Sequence, residues 1–510
     1  MTQIGVETSG INAPRAGVRA WLALVVLMLP VLLVSVDNTV LSFALPEIAI
    51  ALAPSGAEQL WIIDAYPLVL AGLLVTMGTL GDRFGRRRML LIGSTGFAAV
   101  SVLAAFAPTA ALLIVARALL GFFGAMLMPS TLSLLRSIFQ NRDQRRMAIA
   151  VWASAFSAGS ALGPIVGGFL LEHFAWGSVF LIAVPVLIPL LISAPLLVPE
   201  SRDPAPGKID PISIALSMAT MIPVVYAIKA VAVDGITVFA VLWALLGIGM
   251  GWLFVRRQLR AKTPMLDMAL FRRGSFSGAI LVNLLSVVAL VGFLYFVPQH
   301  LQLILGLSPM VAGLALVPGM IAVIVAGLSV VPISRRVRPH ILVPSALAFS
   351  VIGYLLVAFT TVGHGALPLI LAFVVLGIGI GAAETISNEL ILSSAPAAKA
   401  GAASAVSETA YELGAVLGTA VLGGIITAFY RSALVVPEGV PADLALAARE
   451  TLAGAYTALE DLPGPLGSEL WEAAASAFDS GVMVTSLIGA VLVMAAGTIA
   501  AVTLRTKASR

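Results

Sequence analysis

The sequence predicts an all-α polytopic membrane protein built as two six-helix halves with two inserted helices, fourteen transmembrane helices in all. Three observations predict it. Of 510 residues, 60% are hydrophobic and only 11% are charged, where a soluble domain carries about 25% charged residues. The apolar residues form long unbroken runs, and roughly 20 apolar residues suffice to cross a bilayer as a helix. The runs lack the polar–apolar alternation of a membrane strand, and a helix satisfies its own backbone in lipid.

The elements follow in order. Residues 1–19 form a cytoplasmic tail that carries Arg15 and Arg19. The apolar run after it is too long for a signal peptide and lacks a small-residue cleavage site, so it reads as a retained span. The first half covers 20–200, with spans near 20–44, 58–80, 89–107, 110–135, 147–171 and 177–197. Segment 201–260 holds the inserted pair, near 211–231 and 236–255. The second half covers 261–503, with spans near 275–298, 309–332, 340–360, 367–393, 402–430 and 481–503; residues 504–510 are a second tail. Halves of this kind move against each other around a central site.

Charge fixes the expected orientation. Alternate loops carry Arg83, Arg86, Arg87 and Arg88; Arg136, Arg142, Arg145 and Arg146; Arg256, Arg257, Arg260, Lys262, Arg272 and Arg273; and Arg335, Arg336 and Arg338. Positive loops stay in the cytoplasm, so both termini are expected there, as an even number of spans requires. Segment 431–480 holds eight acids against Arg431 and Arg449 and is expected outside. It reads as two amphipathic helices joined at Pro463–Gly467, with Leu444, Ala448 and Leu452 on one face and Leu470, Trp471, Ala474 and Phe478 on the other. The simpler reading is a loop that packs on itself; the sharper one is a lid or docking hairpin.

Ionisable residues inside spans are the functional candidates, because each costs roughly 2.5–3.5 kcal/mol at a helix centre. Asp37 lies about seven residues inside the outer end of span 1, roughly 10 Å along the helix. Asp64 lies near the outer end of span 2, with Trp61 one turn away and Tyr66 close by. Glu408 and Glu412 form an i, i+4 pair on span 13 beside Tyr411. Glu384 and Glu389 lie in the inner part of span 12, and Arg117 in the outer half of span 4. An ionised carboxyl binds cations and a protonated one does not, so such an acid can trade a proton for a cation. Aromatic faces attract quaternary ammonium groups. Substrate contact is therefore expected at Asp37, Trp61, Asp64, Tyr66, Glu384, Glu408, Tyr411 and Glu412. Structural alternatives stand beside this: Asp64 as an interfacial anchor, Glu389 as a helix-end marker, and Asp37 paired with Arg117.

Span 5 contains Gly159, Gly163, Pro164, Gly167 and Gly168. Small residues let helices approach closely, and Pro with Gly loosens a helix. Span 13 repeats the theme with Gly401, Gly414 and Gly418. Enzyme chemistry is disfavoured. Cysteine is absent, and His173, His300, His340 and His364 are scattered without metal-ligand spacing. No metal, cofactor or nucleic acid is expected. The expected partners are protons, small organic cations and the lipid bilayer, and the expected unit is a monomer.

Several of these stretches resemble the major facilitator superfamily. Gly78-Thr79-Leu80-Gly81-Asp82-Arg83-Phe84-Gly85-Arg86-Arg87-Arg88 is similar to its signature loop between spans 2 and 3. The span 5 cluster resembles the motif of its antiporters. Asp37-Asn38-Thr39-Val40 with Ala44-Leu45-Pro46 resembles the span 1 motif of its fourteen-helix drug:proton antiporters, and Arg117 with Gly121 and Gly124 matches the span 4 motif. The resemblance covers nearly the whole chain. It implies multidrug efflux of dyes, quaternary ammonium biocides and fluoroquinolones across a bacterial inner membrane. It assigns proton coupling to Asp37, Arg117, Glu408 and Glu412, and makes Asp82 and the arginines after it a latch for the outward-facing state. Two departures stand out: Ser407 replaces an acid carried elsewhere in the family, and span 10 lacks another. Both favour monovalent cations over bulky dications. Glu384 belongs to none of these motifs.

Overall fold

The computed structural model describes residues 16–203, 210–261, 264, 268–360, 365–394, 400–462 and 465–505. Among the described residues the regular structure is entirely helical, and fourteen helices are long and apolar enough to cross a membrane. Most run past their predicted limits. Span 1 is Val18–Leu52 and span 2 is Gly56–Phe84. An apolar window marks only the lipid-crossing stretch; the helix continues while each N–H finds the carbonyl four residues back. Span 2 begins at a capping box, in which the Ser55 hydroxyl accepts from the Glu58 N–H and the Glu58 carboxylate accepts from the Ser55 N–H. It ends at Gly85, whose φ of 117° favours glycine.

Within the full helix Asp37 stands nineteen residues after Val18 and fifteen before Leu52. The extra length corrects one expectation. The segment before span 14 is not a separate hairpin arm. Helices Ala442–Glu450 and Leu452–Asp461 are short, and Pro465–Thr503 is one helix of 39 residues. The first predicted arm breaks where the Thr451 hydroxyl caps a new helix by accepting from the Gly454 N–H. The second fuses with span 14 because no proline follows Pro465 to stop it. The predicted joint at Pro463–Gly464 lies outside the described residues.

The loop also does more than pack on itself. Ala448, Leu452, Leu470, Ala474 and Phe478 are buried. The Tyr430 hydroxyl donates to Ala448 O, Arg431 pairs with Glu450 at 3.3 Å, and Glu450 accepts from the Gly56 N–H at the start of span 2. At the same end the Gln302 amide donates to Phe43 O and the Met310 N–H to Glu172. Both halves are thus tied together at the end that carries the acidic loop.

Glycines set the packing within and between halves. Span 5 (Asp143–His173) lies on span 1, where a Cβ on Gly159, Gly163 or Gly167 would fall within 3 Å of Ser35, Thr39 or Val40. Ser35 Oγ donates to Phe156 O and meets Ser160 Oγ at 2.7 Å across the same contact. Span 5 also meets span 10 (Pro309–Ser334) of the other half, where a Cβ on Gly313 would sit 2.3 Å from Pro164 O and one on Gly168 would sit 2.8 Å from Pro309 O. Span 13 (Val406–Ala433) mirrors this arrangement. Gly414 and Gly418 face span 9 (Gly274–Ile304), and Gly423 faces Leu60 of span 2. The inserted span 7 (Pro211–Val231) touches both span 2 and span 13. Asp210 caps it and binds Arg257 of span 8 (Val238–Arg260) at 2.7 Å, which holds the inserted pair together.

Candidate functional site

The centre of the bundle carries the predicted acids, and they differ in their partners. Arg117 comes from span 4 (Ala110–Ile138) and is 2% exposed. Its Nη1 donates to Asp37 Oδ2 at 2.8 Å and its Nε to Ile62 O at 3.1 Å. Its guanidinium lies 4.7 Å from the centre of the Tyr66 ring. Gly121 and Gly124 permit this approach: a Cβ on Gly121 would meet Tyr66 O at 2.5 Å. The Asp37–Arg117 pair, the structural alternative for Asp37, is present, and it shares its arginine with a carbonyl of span 2.

Glu412 reaches across from span 13 towards Asn38 of span 1. It is buried, and its Oε2 has no hydrogen-bond partner among the described residues. Glu408, one turn earlier, is half-buried. Tyr411 packs edge-on against Phe156 of span 5 at 6.0 Å, with Glu384, Glu408 and Glu412 within its electrostatic reach. Tyr66 is in reach of Asp37, Glu408 and Glu412. Spans 1, 2, 4 and 5 thus face spans 12 (Ala366–Ser394) and 13 around one group of acids and aromatics. Ser407 donates to Asn388 Oδ1 at 3.0 Å. Glu389 is exposed and outside this group.

Asp64 is not at a solvated helix end: it is 0% exposed and pairs with Lys229 of span 7 at 2.9 Å. Lys229 Nζ also donates to Leu60 O at 3.0 Å and lies 3.8 Å from the centre of the Trp61 ring. Lys229 was not among the predicted residues. The signal was available, because a lone lysine inside the run Met221–Val233 meets the same rule that singled out Asp37.

The arginine-rich loop is ordered by local partners. Arg86 pairs with Asp82 at 2.8 Å and donates to Ser201 Oγ at 3.1 Å. The Arg87 backbone N–H donates to Glu200, and its side chain to Val198 O. Asp203 N–H donates to Asp82 O. Gly85 leaves room for Glu200, whose carboxyl carbon would lie 2.8 Å from an added Cβ. Gly78 and the exposed Arg83 flank this knot. These contacts join spans 2 and 3 to the end of span 6 (Ser178–Leu197), within one half.

Residues 27–419 match the Major Facilitator Superfamily. The chain belongs to this superfamily. Among its relatives, the multidrug efflux pump LfrA of Mycolicibacterium smegmatis is 56% identical, over 97% of this chain and 98% of LfrA. The methyl viologen resistance protein SmvA of Salmonella typhimurium is 35% identical, over 90% of this chain and 93% of SmvA. The tetracenomycin C resistance and export protein of Streptomyces glaucescens is 33% identical, over 97% and 94%. In fold, the chain is similar to a bacterial homologue of the lysosomal transporter Spinster in an inward-facing, occupied conformation, with a TM-score of 0.70 at 15% identity, covering 96% of this chain and 99% of the homologue. As a major facilitator it is a multi-pass membrane transporter, and the paired and unpaired acids lie between its packed helices.

Proposed function

We propose that this chain is a proton-coupled antiporter that exports lipophilic organic cations from the bacterial cytoplasm, with its arginine-rich end and both termini on the cytoplasmic side. The observation that carries the reading is the group formed by Asp37, Glu408 and Glu412 with Tyr66 and Tyr411, where acids from both halves face one another. A transporter of this type needs a charge that a proton and a cation can hold in turn. Asp37 with Arg117 serves as the coupling pair: protonation of Asp37 frees Arg117 to interact elsewhere. Glu408, Glu412 and Glu384, beside Tyr411, hold the cationic substrate. The membrane potential adds about 2.3 kcal/mol per net charge per 100 mV to such an exchange. The glycine contacts of span 5 let the halves rock, the Asp82–Arg86 knot steadies the cytoplasmic ends, and the acidic loop closes the outside. The layout is read as two six-helix halves with the inserted pair of 201–260.

The kinship with LfrA supports the multidrug reading. The kinship with a tetracenomycin C exporter supports a second, in which one self-made compound is the cargo. A substrate panel in energised everted vesicles separates them: ethidium, acriflavine and quaternary ammonium compounds should all accumulate, each with measurable proton efflux. Asp37→Asn should abolish both signals. A variant that pumps as well as the parent at neutral pH would remove Asp37 from the coupling step.

A further inference from the structure

Lys229 sits in a finished binding site for an ammonium ion. One turn of span 2 supplies all three parts: the Asp64 carboxylate at 2.9 Å, the Leu60 carbonyl at 3.0 Å and the Trp61 ring at 3.8 Å. An acid, a carbonyl and an aromatic face are what recognises an organic ammonium group. Lys229 itself is 2% exposed, and beside it Val225, Met221 and Ile228 of its own span pack in one apolar cluster with Trp61 and Leu68 of span 2 and Val416 and Ala420 of span 13. The inserted pair therefore delivers a cation into the transporter on a tether. The site also adjoins the central one. Arg117 is within electrostatic reach of Asp64 while it binds Asp37, and the two cations hold carbonyls two residues apart on span 2, at Leu60 and Ile62.

We infer that Lys229 is a specificity-determining residue: it fills the ammonium subsite at Asp64 and Trp61 and so limits the exported substrate to one positive charge. This rests on the cation-export reading. With Lys229 in place, the second charge of a dication meets a neutralised acid and a covered ring. With Lys229 neutral, the same residues become an open anionic, aromatic subsite next to the first. Like charges brought close in a medium of low dielectric repel strongly, so the effect on selectivity should be large.

The test compares efflux of methyl viologen, a dication, with that of ethidium, a monovalent dye, in the same vesicles. The parent must first export ethidium; if it does not, the cation-export reading fails, whatever Lys229 does. Given that export, Lys229→Met should raise the ratio of methyl viologen to ethidium transport by about tenfold. Lys229→Met/Asp64→Asn, which removes both charges, should return it towards the parent value. An unchanged ratio in Lys229→Met, or an equal rise in both variants, would overturn the inference. Orphaning a buried carboxylate can prevent folding, so a second pair of variants avoids it. Asp64→Asn keeps the lysine without its acid, and should bind ethidium about tenfold more weakly than Asp64→Asn/Lys229→Met, because a free ammonium then faces the substrate. Equal ethidium affinities in these two would also overturn it.

Discussion

The acids inside the bundle fall into two groups. Asp37 and Asp64 each hold a buried cation from another span, Arg117 at 2.8 Å and Lys229 at 2.9 Å. Glu384, Glu408 and Glu412 have no ion-pair partner among the described residues. A buried charge that must persist needs a partner, whereas a group that exchanges protons or ligands must be left open. The paired acids lie on spans 1 and 2 of the first half and the open acids on spans 12 and 13 of the second. The two halves thus bring different chemistry to one centre.

Breaking a pair should have the largest effect on stability. Arg117→Met strands the Asp37 carboxylate and removes the donor to Ile62 O. The expected loss is about 3–5 kcal/mol, seen as a lower thermal midpoint of the purified protein in detergent. Arg117→Met/Asp37→Asn should recover most of that midpoint while transport stays absent. If the double variant melts as low as the single one, the pair is not what holds spans 1, 2 and 4.

A smaller loss is expected where the halves touch. Gly313→Ala places a Cβ 2.3 Å from the Pro164 carbonyl, a backbone atom that cannot turn aside. Spans 5 and 10 must part, at about 1–3 kcal/mol. Because those spans keep the two groups of acids facing each other, efflux should fall even at temperatures where the variant is folded. Removing an open acid should cost least among the buried sites. Glu412→Gln keeps the shape and breaks no ion pair, so the midpoint should move by an amount equivalent to about 1 kcal/mol or less. Ethidium efflux should nevertheless drop at least about tenfold. A large destabilisation would mean that Glu412 is a structural acid like Asp37.

The sequence allowed some of this contrast to be read and concealed the rest for physical reasons. Unbroken apolar runs located the spans, and charges inside them located Asp37, Glu408 and Glu412, because both signals are local. The Arg117–Asp37 pair could be named only as an alternative, since partners eighty residues apart are set by packing. Lys229 is legible by the same rule, but its pairing with Asp64 and Trp61, set by packing across 165 residues, is not. The long helix Pro465–Thr503 is hidden for the opposite reason: composition changes from polar to apolar near residue 480, but nothing in the chain stops the helix there.

The smallest effect is expected at the pair nearest the surface, and it calibrates the others. Asp210 accepts from Arg257 at 2.7 and 2.9 Å and from the Ser213 N–H and hydroxyl. The Arg257 guanidinium, followed by Ser213, holds its carboxyl well below the usual carboxylate range. Both side chains remain partly exposed, at 38% and 21%, so water and salt screen the attraction. Asp210→Asn should lower the thermal midpoint by about 2 °C or less, and high salt should narrow the gap further. The sign of the pH dependence follows from the lowered value. The stabilisation is fully present above the unfolded carboxylate value of about 4 and is lost as pH falls through the folded value. Between pH 5 and 8 the gap between parent and Asp210→Asn should therefore be flat, and it should close only in stronger acid. A gap as large as that of Arg117→Met would show that geometry, rather than burial, separates strong pairs from weak ones in this bundle.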